Sequence, residues 1–310
     1  MVERARLRGR LVILSAGESW HVQDLLRAAA EAGMDASRMD FRGLAASVGA
    51  GPLGLPSTLE ITPDDAVVVR TMPAGTLEQV IFRMDVLQRL EASGVLVLNS
   101  PRALEAAIDK YLSLARMEAA GLPVPPTAVC ETVERALSHF EALGGDVVVK
   151  PLFGSEGRGV ERVSSRREAE SKFREMEEAG AVIYLQRFVR HPGHDYRVLT
   201  LGGAVLCAMR RLAPGGWITN VARGARPEAM EAGPELTSLA LAAARAVGAE
   251  VAGVDIVPDE EGRPWVLEVN AVPGWRALAP TTGVDVAAEI LGHVRRWFTD
   301  SAPGHGHERS

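Results

Sequence analysis

Lysine is nearly absent from this chain. Only Lys110, Lys150 and Lys172 occur among 34 basic residues. A composition that tolerates arginine almost everywhere has kept a compact, mobile ammonium at these places instead of a planar fork. Cysteine is scarcer still. Cys130 and Cys207 are far apart, lack metal-ligand spacing and read as small core residues, which fits a reducing cytoplasm. No segment approaches the ~20 apolar residues of a membrane span. The run Leu11 to Leu14 is too short for a signal-peptide core. Positive charge is not in excess: the net charge is −6, which argues against a general affinity for nucleic acid or anionic membrane. There is no internal repeat, and no Ser-His-Asp or Cys-His constellation for covalent catalysis. His305 and His307 fall in a polar tail, 301–310, expected to be disordered.

What is present fits a soluble enzyme or binding protein of 310 residues, 47% apolar and 24% charged, long enough for two or three domains. Buried strands are expected at 11–14, 65–70 and 95–98, with helices over 20–32 and 76–93, the second carrying Ile81, Leu87 and Leu90 on its apolar side. Strands alternating with helices predict a small parallel α/β domain over 1–100. Residues 45–58 read as a Gly/Pro-rich loop. Ser100 and Pro101 open a helix expected to carry Lys110 and to end near Gly121. A second unit, 101–190, has strands at 127–130, 147–150, 160–163 and 182–185 and helices over 133–143 and 166–179. A third, 191–300, has β-rich segments 196–211 and 251–270 around a helix at 235–247, and a last helix over 285–298.

Two patterns carry chemistry. In the first, the run Val147 to Lys150 leads into a loop with Gly154, Gly157 and Gly159. Three glycines within six residues let backbone amides approach an anion closely. A P-loop needs its lysine after the glycines, and a Rossmann fingerprint needs a different spacing after the first strand, so neither fits. In the second, Ala252 to Val257 and Pro264 to Asn270 form a predicted hairpin. If it is centred between Glu261 and Gly262, Asp255 lies opposite Glu268, with Cβ atoms ~5 Å apart. Alternation puts Asn270 on the same face. Such oxygen ligands suit Mg²⁺ shared with phosphates.

Together these segments resemble the ATP-grasp superfamily, and within it the RimK-type α-L-glutamate ligases. The resemblance runs in order through Leu98-Asn99-Ser100-Pro101, Asp109-Lys110, Gly121 to Pro125, Val149-Lys150-Pro151, Gly154 to Gly157, Asp195 to Val198, Arg211, Thr219-Asn220, Arg223-Gly224, Gly253 to Asp255, Leu267 to Asn270 and Pro273-Gly274. It implies an N-terminal α/β domain, a central α+β lid and a C-terminal α+β part, with ATP between the last two. It implies that Lys110 and Lys150 bind phosphate under a flap of Gly154, Ser155, Glu156, Gly157 and Gly159. Gln186, Arg187, Phe188 and Val189 resemble the adenine hinge, and Asp195 a nucleotide-site acid. Asp255, Glu268 and Asn270 match ligands of Mg²⁺ (or Mn²⁺). Arg211 matches the arginine that meets charge on the transferring phosphate, so Arg211 and Lys150 are the expected catalytic groups. Asn220 and Arg223 resemble substrate-side groups, and Arg70, at a strand end, is a further candidate for a substrate carboxylate. Two departures stand out: Arg187 where many relatives have an acid, and Ile218 where many have arginine.

The implied reaction joins a small-molecule carboxylate acceptor to an amino acid, L-glutamate by family, through an acyl phosphate and ADP. Val272-Pro273-Gly274-Trp275 resembles ligases acting on one-carbon cofactors of the tetrahydromethanopterin or methylofuran type. Trp275 is read either as a stacking platform for a flat ring or as core. A ligase for a peptide, protein C-terminus or amino-acid carrier, and a phosphotransferase on the same fold, stay open as alternatives. A cytoplasmic homo-oligomer, dimer or tetramer, is expected.

Overall fold

The computed structural model describes residues 9–48, 61–154 and 158–300. Ser155, Glu156 and Gly157 of the flap, most of the 45–58 loop and the 301–310 tail lie outside the described residues.

The N-terminal part holds β1 (Leu11–Leu14), α1 (Trp20–Glu31), β2 (Ala36–Met39), β3 (Ala66–Val69), α2 (Leu77–Ala92) and β4 (Leu96–Leu98). The strands form a parallel sheet in the order β2-β1-β3-β4. β1 and β3 are four apolar residues each, buried throughout, as strands covered on both faces must be. The edge strand β2 is Ala-Ser-Arg-Met, with no apolar alternation, and the periodicity did not anticipate it. Ser19 caps α1, and Thr76 with Gln79 forms a capping box on α2. The expectation for Ile81 is corrected: it is 50% exposed, and α2 buries Arg83, Val86, Leu87 and Leu90. That i, i+3, i+4, i+7 stripe leaves position 81 off the covered face. Arg83 enters it by donating to the Pro73 carbonyl (2.7 Å).

The single helix expected from Ser100 to Gly121 is two: α3 (Pro101–Ile108) and α4 (Lys110–Ala119). Asp109 breaks it. Its backbone is extended, and its carboxylate accepts from the amides of Tyr111 and Leu112, capping α4. Lys110 therefore opens a helix rather than riding inside one.

The lid sheet contains β5 (Thr127–Cys130), β6 (Val147–Lys150), β7 (Glu161–Val163) and β8 (Ile183–Arg187), in the order β5-β8-β6-β7 and antiparallel. Helices α5 (Val133–Ala142) and α6 (Arg166–Glu178) cover one face through Phe140 and Phe173. Helices α3 and α4 do not join this core. Ala106, Leu114 and Met117 pack with the C-terminal sheet, so the packed lid starts at β5, later than the expected boundary at 101.

The C-terminal sheet has β9 (His194–Leu201), β10 (Ala204–Leu212), β11 (Arg226–Met230), β12 (Val251–Pro258) and β13 (Pro264–Asn270), antiparallel in the order β11-β10-β9-β12-β13. Helix α7 (Pro234–Val247) covers one face. Helices α8 (Leu278–Thr282) and α9 (Val286–Asp300) close the chain, α9 in a core shared with α1 and the N-terminal sheet. β11 and α8 were not anticipated.

The other face of this sheet changes character along its strands. On β9, Asp195, Arg197, Leu199 and Leu201 alternate onto one side. Leu199 and Leu201 enter the core shared with α1, while Asp195 lines the cleft under the lid and Arg197 pairs with Asp255 of that lining. Asn99 fixes the junction. Its amide donates to the carbonyls of Val251 (2.7 Å) and Ala271 (2.6 Å) and accepts from the amides of Glu250 (2.8 Å) and Val251 (2.9 Å). One buried side chain thus satisfies backbone groups at the start of β12 and just past β13, which would otherwise be costly to bury.

Candidate active site

The hairpin of β12 and β13 places Asp255 opposite Glu268. It does so through a bulge. From Pro258↔Pro264 to Ile256↔Val266 the strands pair about Glu261, and then Leu267 is passed over so that Asp255 meets Glu268. Leu267 and Glu268 consequently both line the cleft, while Val254 and Val269 face the core behind it. Asn270 lies two pairs further along, opposite Gly253, with its Oδ1 accepting from the Val272 amide (2.8 Å).

The row continues sideways into β9, where Arg197 pairs in register with Asp255. Arg197 Nη2 donates to Asp255 Oδ2 (2.8 Å), and its Nε makes a further ion pair with Oδ1. From β10, Arg211 approaches Asp255 Oδ2 (3.1 Å) and holds Asp195 by two hydrogen bonds of 2.7 and 2.5 Å. Thr219 donates to the same Asp195 (2.6 Å). Burial alone would raise Asp255, but the guanidiniums of Arg197 and then Arg211 outweigh it and hold its pKa below the usual carboxylate range. Burial works against the Arg211 charge as well, and the carboxylates of Asp255 and Asp195 more than offset it. Glu268 goes the other way. Burial, then the charge of Asp255, raises it, and it makes no hydrogen bond or ion pair among the described residues.

The lid and the start of α4 supply the facing wall. Lys150, at the end of β6, donates to Gln186 Oε1 (2.8 Å). Gln186 is in turn held by the hydroxyl of Thr127 (2.9 Å). Lys110, at the start of α4, donates to the carbonyls of Leu152 (3.2 Å) and Gly154 (3.0 Å), which tethers the first part of the glycine loop. Burial lowers the pKa of both lysines, and Glu268 opposes this at each. Gly159, at the loop's far end, has φ +68° and lies where a Cβ would meet Pro151 Cγ at 2.9 Å, so only glycine fits.

Lys110, Lys150, Gly154, Gln186, Arg187, Phe188, Val189, Asp195, Arg211, Asn220, Asp255 and Glu268 all line this one cleft. Arg187 leans over the Trp265 ring (5.5 Å). Arg223 sits in a short 3₁₀ turn and is exposed, away from the cleft lining. Arg70 is elsewhere, buried against the loop after β13. Trp275 is fully buried and donates Nε1–H to Asp24 (2.8 Å), so it is core rather than an open platform.

Sequence reasoning gave Arg197 no role, although its parity with Asp195 on β9 was legible. It also missed His191 and Trp217, which flank Phe188 at 6.0 and 5.7 Å. No motif announces them.

Among the described residues no three His, Cys, Asp or Glu side chains gather as a ready metal centre. The donor set that fits a hard cation is Asp255 and Glu268 face to face with the amide of Asn270, leaving coordination positions for phosphate oxygens. Glu268, raised and unpartnered, is the group such a cation would relieve.

A lid sheet and a C-terminal antiparallel sheet closing on lysines and facing carboxylates define an ATP-grasp fold. The chain belongs to the RimK-like ATP-grasp family, whose domain profile matches residues 107–294. It is 33% identical over 313 residues to the tetrahydromethanopterin:alpha-L-glutamate ligase of Methanosarcina acetivorans, covering 90% of this chain and 96% of that one. The enzyme of the same name from Methanococcus maripaludis is 36% identical over 229 residues, covering 72% and 76%. The solved ATP-grasp ligase PsnB, complexed with minimal precursor, Mg and ADP, shares the fold with a TM-score of 0.71 at 24% identity, covering 91% and 95%. No helix among the described residues is long and apolar enough to cross a membrane.

Proposed function

We propose that this protein is an ATP-dependent carbon–nitrogen ligase that adds L-glutamate to a carboxylate-bearing acceptor of the tetrahydromethanopterin type. The carrying observation is the facing pair Asp255 and Glu268 under Lys110 and Lys150 in one cleft. Phosphorylating a carboxylate brings anions together, so charge compensation and alignment are the main tasks of such a site.

Lys110 and Lys150 bind the phosphate chain from the lid side. The hinge from Gln186 to Val189 borders the base, with Phe188 between His191 and Trp217. Arg211, held through Nε and Nη2 by Asp195, presents its remaining Nη1 to the phosphoryl group in transfer. Asp255, Glu268 and Asn270 would hold Mg²⁺, which neutralises phosphate charge when bound. Asn220, in the cleft lining, contacts substrate. The loop tethered by Lys110 excludes water that would hydrolyse the activated acceptor. A glutamate amine then displaces phosphate.

The test is ADP release by the purified chain with ATP, Mg²⁺, L-glutamate and a tetrahydromethanopterin-type acceptor, with products weighed by mass spectrometry. The expected result is ADP formation that needs both co-substrates and an acceptor heavier by glutamyl residues. Release of a stable phosphorylated acceptor without glutamate would refute the ligase reading in favour of a phosphotransferase.

A further inference from the structure

Arg70 carries a charge that the fold does not balance. It follows β3 at the carboxyl edge of the N-terminal sheet and is only 6% exposed. Its guanidinium lies over the Trp275 indole, 4.5 Å from the ring centre, and Nη2 donates to the Pro273 carbonyl (3.0 Å). Nε is buried without a hydrogen-bond partner. No acidic group offsets the burial, which pushes the Arg70 pKa down to about 10. A small cavity beside it, shared with Asn99 and Ala271, has room for about one water. A water satisfies an N–H but does not neutralise a buried cation.

The surroundings point to an anion. The order β2-β1-β3-β4 makes the gap between β1 and β3 the switch point of the sheet, and crevices at the carboxyl ends of such strands bind ligands. The N-terminus of α1, a 12-residue helix, opens there directly after β1. His21, in its first turn, is edge-on to the same indole (4.8 Å) and accepts from the Trp275 amide (3.0 Å), so its Nε2 carries no proton. At Gly17 a Cβ would meet nothing within 4 Å, and Trp20 is 39% exposed, so the outer rim at the start of α1 is open. The crevice is also close to the nucleotide cleft. A Cβ on Gly253 would lie 2.7 Å from Arg197 Nη1 and 3.1 Å from Pro273 Cβ. Asp255, Arg197, Gly253, Pro273 and Arg70 are therefore a contiguous run.

We propose that this crevice is an anion site for the acceptor: a carboxylate of the acceptor docks between Arg70 and the N-terminus of α1, which directs its reacting carboxylate toward Asp255 and Glu268. The identity of the ligand rests on the ligase reading, whereas the existence of the site is tested without turnover. Succinate is titrated into the full chain without nucleotide, followed by tryptophan fluorescence and thermal shift. Wild type is expected to bind saturably, with no such response to chloride at equal ionic strength, and Lys150→Ala to bind equally well. Arg70→Gln is expected to bind at least ~10-fold more weakly. If Arg70→Gln does not fold, Arg70→Lys, which keeps the charge and loses the fork, should still weaken succinate several-fold. Equal affinity in the folded Arg70 variant overturns the site. Loss of binding in Lys150→Ala overturns it too, since the anion would then occupy the nucleotide cleft. Inorganic phosphate binding more tightly than succinate overturns the carboxylate assignment. Succinate binding through Arg70 in a protein that adds no glutamate would refute the ligase reading and keep the site. Glutamate addition without succinate binding would do the reverse.

Discussion

The two walls of the cleft carry opposite charges and balance them by different means. On the C-terminal sheet, Asp255 and Asp195 are matched by Arg197 and Arg211 from neighbouring strands, in register and at hydrogen-bond distance. On the lid side, Lys150 and Lys110 are held by an amide oxygen and two carbonyls, with no carboxylate at ion-pair distance among the described residues. The two aspartates of the first wall are neutralised within the fold. The second orients its cations but leaves their charge for something else to neutralise. Glu268 belongs with the second group, although it sits on the first wall. The unbalanced groups are thus two cations and one acid, which is what a phosphate chain and a divalent cation would complete.

The comparison makes the largest prediction at Lys150. Replacing it with alanine should lower ADP formation by about 10²–10³-fold while circular dichroism stays that of the wild type. Normal turnover in the folded variant would remove its assigned role. On the balanced wall the effect should fall on stability. Arg197→Met leaves Asp255 buried beside only one remaining arginine, and the expected cost is about 3–5 kcal/mol in chemical denaturation. An unchanged denaturation midpoint would show that this wall is not balanced by its arginines.

Glu268→Gln should change stability little or favourably and raise the Mg²⁺ concentration needed for half-maximal activity by about 10-fold or more. Unchanged Mg²⁺ dependence would count against the metal assignment. The smallest effect is a pH dependence outside both walls. Burial, then the charge of Arg70, lowers His21 to about 4 from its ordinary 6.5. The unfolded chain therefore binds this proton first as pH falls. The stability from neutral His21 is complete above about 6.5 and is lost as pH drops toward about 4. His21→Gln should flatten the wild-type slope in that window, and an identical slope would rule His21 out as its source.

The sequence revealed most where the physics is local. β1 and β3 are uninterrupted apolar runs, β6 is three valines before Lys150, and the caps Ser19 and Ser100 announce their helices. A turn centred between Glu261 and Gly262 pairs Asp255 with Glu268 but lies half a residue from the true centre, and the bulge at Leu267 supplies the difference. What stayed hidden depends on partners distant in sequence. β2 and β11 are polar edge strands defined by their neighbours. Asp109 looks like an ordinary helix residue until its cap is seen. Asn99 could be quoted as part of a motif, but its four bonds to the ends of β12 and β13 are a matter of tertiary structure. Arg197 and Arg70 differ in the same way: both are buried, one has an acid opposite, and nothing in the sequence says which.

Thermal unfolding of Lys150→Met with and without ATP–Mg²⁺ tests the central contrast most directly. The account predicts a melting temperature without ligand at least as high as the wild type, because a buried cation without an acid has been removed, together with loss of the stabilisation that ATP–Mg²⁺ gives the wild type. A lower melting temperature with the ATP–Mg²⁺ stabilisation intact would show that Lys150 serves the fold and not the nucleotide.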